Sequence, residues 1–154
     1  MHSRVFVLGK DLNNFKKNDV LIMDYDDLHW ASHCDYCDES DVFENDLKWL
    51  SVEYPLKIKK HNDGRYYGVL WENETEREEI LKIADKQFAE YKNMMLSEIP
   101  KLERWDEIYF SAGRHGGFLS YMDWEYDIFP LFDIIRINAD AEKMYIVGSI
   151  DYHM

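Results

Sequence analysis

Between Asn73 and Ser97 the apolar residues Ile80, Ala84, Phe88, Tyr91 and Met95 recur at spacings of 4, 4, 3 and 4. A period near 3.6 gathers all five on one stripe of a helix. The opposite face carries Glu78, Glu79, Lys82, Asp85, Lys86 and Lys92, side chains that belong in water. Asn73 is a favoured N-cap, and Glu76 three positions later completes a capping-box pattern. Pro100 stops the helix from running on. A helix over about 74–97 with one apolar stripe must be laid against something, and the flanking segments supply it.

Arg4 to Leu8 is a short β-rich run closed by Gly9 and reads as a first strand. Asp19 to Asp24 encloses four apolar residues and reads as a second. Tyr25 to Ser40 has no clear period and reads as a long loop with room for one helical turn. Asp41 looks like an N-cap with Glu44 three positions on, and Phe43, Leu47 and Leu50 share a face, giving a short helix near 42–51. Leu56–Lys59 and Tyr66–Trp71 flank Asn62-Asp63-Gly64, a strong hairpin signal. Two further hairpins are read from Glu107–Phe110 with Phe118–Tyr121, and from Leu131–Ile137 with Lys143–Ile150. The expected fold class is therefore α+β: an antiparallel sheet built from hairpins, the long helix packed on one face and the short helix beside it. No internal repeat or polar linker divides residues 1–154, so a single globular domain is expected.

Hydrophobic residues make up 46% of the chain and aromatics 16%, ample for a packed core, so wholesale disorder is not expected. No apolar run reaches membrane-spanning length, and the start lacks the basic and apolar regions of a secretory signal. With two cysteines, a disulfide framework is not expected, and a cytoplasmic location is.

Charge narrows the function classes further. The chain carries 18 Lys and Arg against 31 Asp and Glu, a net charge of −13. That balance repels nucleic acid and anionic membranes and attracts basic surfaces. It is also concentrated: from Asp19 to Glu53 there are 11 acids against the single base Lys48, a local net charge of −10.

Four constellations could carry chemistry. His29, His33, Cys34 and Cys37 lie within nine residues, and the two cysteines have the spacing of a zinc knuckle. Structural zinc sites draw ligands from separated segments, however, and these four are local, so surface histidines beside free thiols explain them as well. A redox role for Cys34 and Cys37 is disfavoured by Asp35, Asp38 and Glu39, whose negative field suppresses thiolate. Asp24, Asp26 and Asp27 follow an expected strand and could hold a hard cation, although a window this acidic places some Asp together by composition alone. Gly113-Arg114-His115-Gly116-Gly117 could cradle an anion, or simply turn a hairpin.

The fourth is the acidic stretch itself, interleaved with Tyr25, Trp30, Tyr36, Phe43, Trp49 and Tyr54. Carboxylates on a firm scaffold can stand in for the phosphates of a nucleic-acid backbone, and aromatics supply anchors at interfaces. On this reading the chain is a binding protein and no enzyme. It is a small acidic DNA-mimic inhibitor, of the antirestriction or anti-CRISPR kind that a phage or mobile element would carry. Its partner is the basic surface of a nuclease or other nucleic-acid-handling defence enzyme, with no direct contact to nucleic acid or membrane. The partner-binding residues are Asp24, Asp26, Asp27, Trp30, Asp35, Tyr36, Asp38, Glu39, Asp41 and Glu44. The alternatives are an immunity protein against a nuclease toxin, or a metal-dependent enzyme using Asp24, Asp26 and the His/Cys cluster. No cofactor is expected; zinc, if present, would sit on His29, Cys34 and Cys37. Replacing both cysteines by Ser is expected to leave the melting temperature nearly unchanged. A loss above about 2 kcal/mol would indicate metal-coupled folding instead.

Overall fold

The computed structural model describes residues 2–12, 36–39, 42–104, 106–107, 118–122 and 125–153. Seven strands build one mixed sheet: β1 (His2–Gly9), β2 (Tyr36–Glu39), β3 (Lys57–Lys60), β4 (Tyr66–Trp71), β5 (Leu119–Met122), β6 (Glu125–Pro130) and β7 (Met144–His153). Six of them run in the order β3-β4-β7-β1-β5-β6, and β2 also pairs with β7. Among the described residues, three α-helices of seven residues or more accompany the sheet: α1 (Phe43–Leu50), α2 (Glu74–Glu98) and α3 (Leu131–Ile137).

The solid apolar run of β1 follows from its place inside the sheet. Phe6 and Leu8 join a core with Leu47 and Leu50 of α1, Ile80 and Ala84 of α2, and Ile134 and Ile135 of α3. Val5 and Val7 join a second cluster with Val69, Tyr145, Val147 and Ile150. Both alternating sets are buried, so no polar residue interrupts the run from Val5 to Leu8.

The hairpin at Asn62-Asp63-Gly64 is present, with β3 antiparallel to β4 from Lys57↔Val69 to Lys60↔Tyr66. Gly64 turns it at φ 92°, a region that strains any residue with a Cβ. The exclusively antiparallel sheet is not: β1 pairs in parallel with β5, Val5 opposite Leu119 through Leu8 opposite Met122. Parallel neighbours need a long crossover, which lies beyond the reach of hairpin signals.

Two further hairpin readings are corrected. β5 does enter a hairpin, but with β6 downstream, Leu119 opposite Pro130 and Met122 opposite Glu125. On its upstream side Asp106 and Glu107 are helical, while residues 108–117, including the glycine turn, lie outside the described residues. Leu131–Ile137, expected as a strand, is α3. Its isoleucines and Phe132 favour strands by propensity, yet Leu131, Phe132, Ile134 and Ile135 are spaced to bury one helical face. The side-chain amide of Asn138 closes that helix, donating to the Ile134 carbonyl at 2.8 Å.

The long helix begins as expected. Asn73 Oδ1 accepts from the Glu76 N–H at 2.9 Å, and Glu76 Oε2 accepts from the Glu72 N–H at 2.9 Å. The return bond of the box thus reaches one residue further back than the pattern implies. Ile80, Ala84 and Met95 are buried; Phe88 and Tyr91 are half-buried against Phe132 of α3, with ring centroids 6.1 and 5.6 Å away. Asn73→Ala is expected to lower stability by about 1 kcal/mol in urea titration. The Glu76 carboxyl is held below its usual range, first by Lys57 and then by the Glu72 N–H. That contribution is complete above the ordinary glutamate pKa of about 4.3 and fades as pH falls through the depressed value. Glu76→Gln should therefore flatten the acid limb of the stability profile.

Candidate partner-binding surface

The stretch that was read as a loop, Tyr25 to Ser40, contains a strand. β2 runs antiparallel to β7, with Tyr36 opposite His153, Cys37 opposite Tyr152, Asp38 opposite Asp151 and Glu39 opposite Ile150. β1 occupies one edge of β7 along its length, so β4 and β2 share the other, β4 near Met144–Ile146 and β2 near Ile150–His153. A backbone ladder thereby fixes three of the expected binding residues, Tyr36, Asp38 and Glu39.

Next to that ladder, α1 is tied to the sheet by a polar cluster. Asp46 of α1 is 6% exposed. Its carboxylate accepts from Arg4 Nε of β1 at 3.2 Å and from Ser149 Oγ of β7 at 2.6 Å. Arg4 Nη1 also stands 2.7 Å from Asp151 Oδ1. Burial pulls the Arg4 pKa down, but Asp151 and Asp46 together carry it above the usual arginine value. Two carboxylates on one guanidinium leave the cluster net negative, and the register sets Asp38 one strand further along the row Arg4–Asp151–Asp38. Asp46, counted among the 11 acids of the window, is thus an internal clamp and no part of an outward array. Its helical position, one residue before the buried Leu47, is the signal that could have shown this.

α1 differs from expectation at its start: the N-cap is Val42, with no side-chain cap bond, and Asp41 lies outside the described residues. Glu44 pairs with Lys48 at 2.9 Å, and this contact holds the Glu44 carboxyl below its usual range. The window's single base is therefore engaged by one of its own acids.

Three exposed apolar residues lie on and beside α1: Val42 at its N-cap is 41% exposed, Trp49 54%, and Val52, two residues past its end, 83%. Trp49 meets Phe118 in a T-shaped contact, ring centroids 4.7 Å apart and planes at 77°, and Phe118 in turn makes a T-shaped contact with Phe6 at 5.7 Å. Of the other interleaved aromatics, Tyr54 is fully buried and bonded to Gln87, and Phe43 is half-buried, so both serve the core.

Asp24, Asp26, Asp27, Trp30, Asp35 and Asp41 lie outside the described residues, as do His29, His33, Cys34, the expected strand Asp19–Asp24 and the loop Gly113–Gly117. Cys37 is placed by its backbone in β2. Among the described residues no group of three or more potential metal ligands gathers. No helix among them is long and apolar enough to cross a membrane. Comparison with protein-family models, with curated proteins and with solved structures finds no match.

Proposed function

We propose that this chain is a small acidic inhibitor that binds the basic nucleic-acid-binding surface of a nuclease or related defence enzyme. The observation that carries the reading is the concentration of charge: −10 of the net −13 falls between Asp19 and Glu53, in the same stretch as the half-exposed Trp49. A protein that needs acids only for solubility has no reason to concentrate them in one stretch of its sequence. Carboxylates steer a basic partner at long range, and the tryptophan supplies contact area once it arrives. The ladder between β2 and β7 and the Asp46 clamp support the reading because they tie β2 and α1 to the sheet, and groups already held in place cost less to order on association.

The test is capture on the immobilised full chain at low and high salt, followed by an assay of the captured enzyme. The expected partner is a basic nucleic-acid enzyme, released by salt and by competing duplex DNA, and inhibited by the free chain. A captured enzyme that binds chain and DNA simultaneously, or whose activity the chain leaves intact, sinks the proposal.

A further inference from the structure

We infer that Trp49 is a stacking platform for an arginine side chain of the partner, with the Glu53 carboxylate as the second wall of the seat. This rests on the reading of the acidic stretch as a binder of basic protein surfaces, and it names what the exposed indole does there.

Trp49 is 54% exposed although its ring meets Phe118 in a T-shaped contact, so the indole is held in place while much of it stays open. The chain continues past α1 in the same sense, with the Val52 N–H bonding the Trp49 carbonyl and the Glu53 N–H bonding the Leu50 carbonyl. That turn brings Glu53, four residues after Trp49, to the same end of the helix. Glu53 is exposed, and Gln87 Nε2 donates to its Oε2 at 2.8 Å, which steadies the carboxylate. An exposed indole with a carboxylate four residues further along the chain offers a guanidinium a plane to stack on and an acceptor for its edge. Lys48, the window's own base, is already engaged by Glu44.

The molecule uses the same arrangement elsewhere. The guanidinium carbon of Arg136 lies 3.8 Å from the centre of the Phe88 ring, and its Nε donates to Asp85 Oδ1 at 2.9 Å. Aromatic face, arginine and carboxylate there form one unit on the helical side. At Trp49 the aromatic is present and, among the described residues, no cation lies over it, so the partner brings one. A second copy of this chain is a poor occupant, because two molecules of net charge −13 repel.

The probes are hexa-arginine and hexa-lysine, equal in charge and different in stacking. Calorimetric titration of the wild-type chain should give a dissociation constant about two- to fivefold lower for hexa-arginine. Trp49→Ala should bring the two peptides to equal affinity, and Trp49→Phe should keep part of the preference. With 5-fluorotryptophan incorporated, the Trp49 resonance, identified by its loss in Trp49→Phe, should shift on hexa-arginine addition more than on hexa-lysine addition. That measurement is made on the wild-type chain and needs no destabilising variant. An unchanged arginine-to-lysine ratio in Trp49→Ala, or a Trp49 resonance indifferent to hexa-arginine, overturns the inference while leaving the acidic reading intact. If neutralising Asp38, Glu39, Glu44 and Glu53 leaves both affinities at wild-type level, the acidic reading itself fails.

Discussion

Trp71→Ala is expected to cost about 3–5 kcal/mol of stability, the largest loss of any single tryptophan truncation among the described residues. Trp71 is fully buried at the end of β4, and its indole N–H donates to the Ala141 carbonyl at 2.8 Å. Truncation therefore opens a large cavity beside Ile80 and Ala84 and removes a buried donor from Ala141 at once. Trp71→Phe separates the two effects: most of the ring volume stays, the hydrogen bond goes, and a loss of about 1–3 kcal/mol is expected. Trp49→Ala makes the comparison, since its ring is half-exposed and its truncation should cost much less. Against a total stability of about 5–15 kcal/mol, the Trp71 loss is large enough to move the urea midpoint unmistakably. A Trp71→Ala protein within about 1 kcal/mol of wild type would mean that this side chain does not anchor the core between sheet and helices.

The two tryptophans also show what could be read from the chain and what could not. Trp71 ends a strand-like apolar run next to a strong hairpin signal, and the stripe from Ile80 to Met95 announces a helix by period alone; both are local patterns, and both are found. Leu131–Ile137 was misread because a short apolar run satisfies strand and helix equally, and only packing against Phe88 and Tyr91 decides. The parallel pairing of β1 with β5 leaves no local trace, since it joins segments more than a hundred residues apart. The partners of Asp46 leave no local trace for a related reason: Arg4 and Ser149 lie on β1 and β7, and composition counts a buried acid like an exposed one. The charge concentration was fully legible. Which of its acids face outward depends on the fold, and so does the exposure of Val42, Trp49 and Val52.

Neutralising Asp35, Asp38, Glu39 and Asp41 together, to Asn or Gln, is expected to slow association with the captured enzyme by about 10- to 100-fold at low salt. Side-chain volume is kept, so the change acts through charge. Folding should survive and gain slightly, because like-charge repulsion within the acidic stretch falls. The dissociation rate should change much less, since steering acts before contact and the exposed apolar residues are untouched. As salt rises toward 1 M the screening length shrinks to about 3 Å, and the variant and wild-type association rates should converge. The control must remove four acids that hold nothing in place. Asp85 is unsuitable because it secures Arg136, whereas Glu78, Glu79, Asp140 and Glu142 are all exposed. Their neutralisation changes net charge by the same amount but spares the window, so association should fall only by the small share due to total charge. Equal slowing in both quadruple variants would show that net charge, and not its placement between Asp19 and Glu53, drives the encounter. No slowing in either would remove electrostatic recognition from the mechanism altogether.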